Sequence, residues 1–108
     1  NIKSRQKIDK ISKKLNIPIV YGALFRFEGQ VSILNVNGSA GYSDLFPSSN
    51  TNDEDSCADA GVLSMLPAII GNIQALEAIK LIVGINNNLI CKLLMYDGMN
   101  HKTEVIEL

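Results

Sequence analysis

Within residues 1–15, Ile8, Ile11 and Leu15 recur at i, i+3 and i+7, while Lys3, Arg5, Lys7, Lys10, Lys13 and Lys14 occupy much of the remainder. This spacing predicts an amphipathic helix with its apolar face toward the core, capped by Asn1 or Ser4 and ended by Asn16 and Pro18. Ile17-Pro18-Ile19-Val20-Tyr21-Gly22-Ala23-Leu24 follows with almost no polar alternation. Such a run suits a strand covered on both faces, and helix followed by buried strand is half of a doubly wound α/β unit. After a turn expected at Glu28-Gly29, residues 30–35 alternate between polar and apolar, which predicts an antiparallel strand with one face partly solvated.

Asn37, Gly38, Ser39 and Gly41 break this regularity, and residues 42–56 read as a loop with an apolar anchor at Leu45-Phe46-Pro47. A loop of that length inside a small domain marks either a functional segment or a disordered one. Residues 62–83 then carry an apolar stripe at Leu66, Ile69, Ile73, Leu76, Ile79 and Val83, with Gln74, Glu77 and Lys80 forming a wetter edge. Pro67 and Gly71 predict a break in this helix between residues 66 and 71, and Gly84 stops it. Three asparagines at 86–88 make a turn, residues 89–96 a strand, Asp97-Gly98 a hairpin signal and residues 103–108 a short alternating strand. No internal repeat or domain boundary interrupts the chain.

With 108 residues and 46% hydrophobic content, the chain is large enough for one small core. Its formal net charge of −1 argues against nucleic acid or an anionic membrane as the main partner. The charges are segregated: six of the ten basic residues lie in the first helical segment, while Asp44, Asp53, Glu54, Asp55 and Asp59 gather in the middle loop. Residues 62–83 are the membrane candidate, but holding Glu77 and Lys80 in hydrocarbon would cost roughly several kcal/mol. A buried helix of a soluble domain is the expectation. Two cysteines make no disulfide framework; Cys91 reads as a small buried hydrophobe, and a reducing, cytoplasmic setting fits.

Chemistry-bearing residues are sparse. There is no glycine-rich phosphate loop and no Cys-x-x-Cys, and the single histidine, His101, falls in a hairpin where a surface position is expected. Cys57 stands out because it directly precedes the long helix, whose N-terminus favours a thiolate. Asp53, Glu54, Asp55 and Asp59 oppose that effect, leaving the sign of the net shift open.

The segment from Cys57-Ala-Asp-Ala-Gly-Val-Leu to Ile-Gly-Asn-Ile-Gln-Ala-Leu-Glu-Ala-Ile-Lys-Leu-Ile-Val-Gly84 resembles the C-terminal half of the HesA/MoeB/ThiF family, relatives of the ubiquitin-activating enzymes. Asn1-Ile-Lys-Ser-Arg5, Pro18-Ile-Val-Tyr-Gly-Ala-Leu-Phe-Arg-Phe-Glu-Gly-Gln-Val-Ser32, Leu45-Phe46-Pro47 and Leu93-Leu-Met-Tyr-Asp-Gly98 resemble other family stretches in the same order. The resemblance implies an α/β fold, the C-terminal portion of a Rossmann-like adenylation domain. Residues 1–108 would form a mixed sheet with flanking helices and a C-terminal antiparallel hairpin, with 41–58 as a crossover loop.

The activity implied is ATP- and magnesium-dependent adenylation of the C-terminal glycine of a β-grasp sulfur-carrier protein, in a molybdopterin, thiamine or related thiolation pathway, by a homodimer. Cys57 matches a crossover-loop cysteine that is catalytic in some members. Asn1 and Arg5 would edge a nucleotide site whose main residues precede Asn1, so this fragment alone is not expected to adenylate. Residues 21–30 would lie near the carrier surface. Where many members have Cys-x-x-Cys before Leu-Phe-Pro, this chain has Gly41-Tyr42-Ser43-Asp44, which argues against a structural zinc. The alternative is a non-catalytic homologue that holds a carrier or partner subunit.

Overall fold

Asn1 opens helix α1 (Ile2–Leu15) by accepting the Ser4 N–H on its side-chain oxygen at 2.9 Å. Asn16, in a left-handed conformation at φ 55°, closes it, and Pro18 keeps the chain extended beyond. The structure, a computed structural model, describes residues 1–47 and 64–108. Cys57 and the tip of the expected crossover loop lie outside the described residues.

Strands β1 (Ile19–Phe25) and β2 (Glu28–Leu34) form a hairpin around Arg26-Phe27, with Arg26 at φ 57°. The turn precedes the expected Glu28-Gly29, because Glu28 already pairs with Phe25. After a short helix α2 (Tyr42–Leu45) and a long helix α3 (Met65–Val83) come β3 (Lys92–Asp97) and β4 (Lys102–Glu107). The sheet runs β1-β2-β3-β4 with every neighbouring pair antiparallel, and one isolated parallel bridge joins Ile33 to Ile90. The α/β class, flanking helices and antiparallel C-terminal hairpin are as expected. Strand β1, however, is an outer antiparallel strand among the described residues, not a parallel strand buried on both faces.

Strand β2 is the buried one. Val31, Ser32, Ile33 and Leu34 are essentially inaccessible. The alternation that predicted a solvated face comes from Ser32, which is buried and satisfied, its hydroxyl donating to the Lys92 carbonyl at 2.5 Å. Side chains of the sheet feed two cores. Tyr21, Leu34, Tyr42 and Leu93 pack on the α2 side, and Val31, Ile33, Ile70 and Leu89 on the α3 side.

Helix α3 lies across β1 and β2 without a break. Pro67 is its third residue, within the first turn, where no intrahelical donor is lost. Close approach to the sheet depends on Gly29, since a Cβ there would stand 2.3 Å from Ile70 Cδ1. The buried face is Leu66, Ile70 and Glu77, whereas Leu76, Ile79 and Val83 of the predicted stripe are exposed. Glu77 is not on a wet edge: its carboxylate accepts the Leu89 N–H at 2.8 Å and pairs with Lys80 Nζ at 2.6 Å. By length and composition α3 could cross a membrane, yet it carries the buried Glu77 carboxylate, paired with a half-buried Lys80, onto the sheet.

Two further expectations are overturned. On α1, Ile8, Ile11 and Leu15 are more than half exposed, and the buried residues are Asp9 and Ser12. Cys91 is exposed at φ 59°, one residue before β3 begins. His101 is at the surface as expected, with Nδ1 3.1 Å from the Tyr96 hydroxyl.

Candidate functional site

The sheet face opposite α3 carries a groove built by strand alternation. Tyr21, Ala23 and Phe25 of β1 stand opposite Ser32, Gln30 and Glu28 of β2. Gln30 in turn pairs with Met95, and Met95 with Glu104. Phe46, just past α2, closes one side. Its ring centroid lies 5.9 Å from that of Tyr21 and 5.1 Å from that of Tyr42, and Tyr21 and Tyr42 are themselves 6.0 Å apart. The resulting cavity of about 480 Å³ has an apolar floor including Ala23 and Met95, and a polar rim of Glu28, Gln30, Asp97, Lys102 and Glu104. Tyr21 donates its hydroxyl proton to Gln30 Oε1 at 3.2 Å. Asp97 accepts from the Asn100 side chain at 2.9 Å and from the backbone N–H groups of Met99 and Asn100; the Asn100 amide leads in holding its carboxyl below the ordinary value.

An apolar floor with charged groups at the rim suits a protein surface or an extended segment more than a reacting small molecule. Among the described residues no group of His, Cys, Asp or Glu could hold a metal ion.

The wall that carries Phe46 is fixed from α1. Asp9 is 1% exposed. Its Oδ1 accepts from Asn35 Nδ2 at 2.8 Å and the Tyr42 N–H at 2.9 Å. Its Oδ2 accepts the Ser43 hydroxyl at 2.8 Å and the Ser43 N–H at 3.3 Å, with Lys13 Nζ 3.5 Å away. Burial pushes the carboxyl up, but the hydrogen bonds from Asn35, Ser43 and the backbone of Tyr42 and Ser43 outweigh it, leaving a pKa of about 2 against an ordinary 3.8. Asn35 sits at φ 60° and ties the end of β2 to Asp9 and Ser12.

Of the expected site residues, the structure brings Asn1 and Arg5 to one cavity of about 370 Å³ beside β1, lined also by Ile8, Tyr21 and Gln74. Asn1 is engaged as the α1 cap, and Arg5 donates to the Gly22 carbonyl at 3.2 Å and lies 5.6 Å over the Tyr21 ring. Cys57 is outside the described residues. Residues 21–30 do form one side of the groove. The other side, Met95, Lys102 and Glu104, had no local signal, since it reaches the site only through the β2–β3 pairing. Nor did the burial of Asp9, which depends on partners more than 25 residues away.

The ThiF family profile matches residues 1–108, the whole chain. A probable molybdopterin-synthase adenylyltransferase of Porphyra purpurea is 46% identical over 101 residues, covering 92% of this chain and 26% of the relative. A molybdopterin-synthase adenylyltransferase of Haemophilus influenzae is 38% identical over 109 residues, covering 100% of this chain and 44% of the relative. A sulfur carrier protein adenylyltransferase of Thermus thermophilus is 36% identical over 105 residues, covering 92% and 39%. This chain thus spans less than half the length of these relatives. The crystal structure of selenomethionine PaaA shares the fold, with a TM-score of 0.72 at 18% identity over 97% of this chain and 39% of that one.

Proposed function

Since this chain belongs to the ThiF family over its whole length, we propose that it is the C-terminal part of an adenylyltransferase acting on a β-grasp sulfur-carrier protein. The observation that carries this reading is the groove on the open sheet face, with an apolar floor, a charged rim and an aromatic wall at Phe46. It has the shape and chemistry for the carrier's surface and the start of its C-terminal tail. The molybdopterin and sulfur-carrier names of the relatives point to the same substrate class, and a thiamine-type carrier belongs to it as well.

In the reaction, the carrier's terminal carboxylate attacks the α-phosphorus of ATP and pyrophosphate leaves, giving the acyl adenylate. The nucleotide and its magnesium would be held mainly by the part of the domain that this chain does not span, where the metal would offset charge on the phosphates. Within this chain, the work is binding and orientation. The sheet floor desolvates the carrier, Phe46 and Tyr21 bound the groove, and Arg5 and Asn1 stand beside β1 at the edge assigned to the nucleotide site. Cys57 is assigned the subsequent covalent step, in which its thiolate would attack the acyl carbon of the adenylate, AMP would leave and the carrier would be held as a thioester. Its replacement by Ser should leave adenylation in place and abolish sulfur transfer; unchanged transfer would remove Cys57 from the mechanism. The apolar residues uncovered on α1 and α3, including Ile11, Ile79 and Ile82, support burial against the rest of the domain or a second copy, as in a homodimer.

The experiment is exchange of labelled pyrophosphate into ATP by the full-length parent, with and without its carrier. Carrier-dependent exchange is expected. Carrier binding without exchange would mark a non-catalytic homologue.

A further inference from the structure

The family resemblance implies a zinc ion near the start of the crossover loop, and the residues here do not fit one. At the place of the Cys-x-x-Cys, Gly41 donates its N–H to Asp44 Oδ2 at 2.8 Å, so the one metal-ligating side chain of the turn is already engaged. A Cβ on Gly41 would lie 2.4 Å from Asn35 Oδ1, 2.6 Å from Asp9 Oδ1 and 2.8 Å from Lys13 Cε. The space a ligand side chain at position 41 needs is therefore filled by the groups that gather around Asp9.

Those groups do the mechanical work of a metal. A zinc ion would join the turn to its surroundings through several bonds to one centre. Asp9 does so through a carboxylate whose two oxygens accept four hydrogen bonds, three of them from Tyr42 and Ser43. Lys13 supplies the countercharge at 3.5 Å and lies 3.9 Å from Asp44. Charge-assisted hydrogen bonds of this kind are stronger than neutral ones. The constraint then passes along the backbone, because the Phe46 N–H donates to the Tyr42 carbonyl at 2.9 Å and the three rings of Tyr21, Tyr42 and Phe46 pack together.

We propose that Asp9 is a positioning residue for the carrier groove: its buried carboxylate clamps Tyr42 and Ser43 in place of a metal and so holds Phe46 against Tyr21. The inference rests on the carrier reading for its consequence, though its geometry does not. Nothing in the clamp touches the reacting atoms, so Asp9 acts through Phe46 on carrier binding and not on ATP.

The test uses the full-length protein. In the wild type, hydrogen exchange of the Tyr42 and Ser43 amides should be slow and unaffected by removal of zinc with a chelator. In Asp9→Asn, one oxygen is replaced by an NH₂ group that faces the Ser43 N–H and Lys13, so the Ser43 amide should exchange freely while the Tyr42 amide keeps the remaining oxygen as its acceptor. Loss of wild-type protection on chelation, restored by added zinc, would overturn the proposal, as would full protection of the Ser43 amide in Asp9→Asn. This readout needs no activity, so a protein that shows no pyrophosphate exchange would defeat the enzymatic reading without touching this one. Where exchange is present, Asp9→Asn should raise KM for the carrier about tenfold while KM for ATP stays near the wild-type value. If Asp9→Asn does not fold, Ser43→Ala removes one hydrogen bond and should raise the carrier KM about threefold. An unchanged carrier KM in either folded variant would overturn the proposal.

Discussion

The Asp9 carboxylate accepts the backbone N–H of Tyr42 at 2.9 Å, joining two helices whose contacting residues are 33 positions apart. Burial raises the Asp9 pKa and its hydrogen bonds lower it further, to about 2 from 3.8. A folded-state pKa below the unfolded one contributes stability that is present above the unfolded value and lost as pH falls through the folded one. The contribution is on the order of 2 kcal/mol near neutral pH. Urea denaturation of the wild type should show stability falling between about pH 4 and pH 2 more steeply than in Asp9→Asn. Parallel profiles for the two proteins would show that Asp9 is not titrating in this way.

Gly29 faces Ile70 too closely for any side chain, so Gly29→Ala should lever α3 away from the hairpin and cost about 1–3 kcal/mol. Shortening the partner with Ile70→Val removes the methyl that a Cβ on residue 29 would meet at 2.3 Å but keeps Cγ1, which it would meet at 2.5 Å. Thermal melting should therefore show a lower Tm for Gly29→Ala and a partial recovery in the double variant. A neutral single substitution would mean that α3 has room to shift.

Glu77 holds the chain between α3 and β3 through the Leu89 N–H. Glu77→Ala leaves that buried donor without its acceptor, at a cost of about 1–3 kcal/mol. Glu77→Gln keeps an acceptor oxygen and loses only the ion pair with Lys80, so its loss should be smaller. Chemical denaturation should rank the variants in that order, and the Leu89 amide should exchange fastest in Glu77→Ala. Equal stabilities for the two variants would remove the hydrogen bond from the account.

The elements themselves were legible where local chemistry sets them. Asn1 caps α1, Gly84 at φ 82° ends α3, and Asp97 starts the β3–β4 hairpin loop. What local pattern could not show was which side faces inward. Ile8, Ile11 and Leu15 have the spacing of a core face but are exposed, while Asp9, Ser12, Ser32 and Glu77 are buried. Each of these polar groups is buried because it meets a partner: Ile17, Lys92 and Leu89 backbone for Ser12, Ser32 and Glu77, and the Tyr42–Ser43 turn for Asp9. Pro67 misled for a simpler reason, since its effect depends on whether it falls in the first turn or the interior. Part of the groove was visible as residues 21–30; Phe46 was legible only as a loop anchor, and Met95, Lys102 and Glu104 join the groove only through strand pairing.

The central claim is that the open sheet face binds the carrier, and the most direct measurement is carrier affinity for the full-length protein and two variants. Phe46→Ala removes the aromatic wall and should weaken binding about tenfold, the scale of an aromatic anchor at an interface. Lys14→Ala, on the exposed face of α1 away from the groove, should bind as the wild type does. Wild-type affinity in Phe46→Ala would contradict the assignment of this face to the carrier.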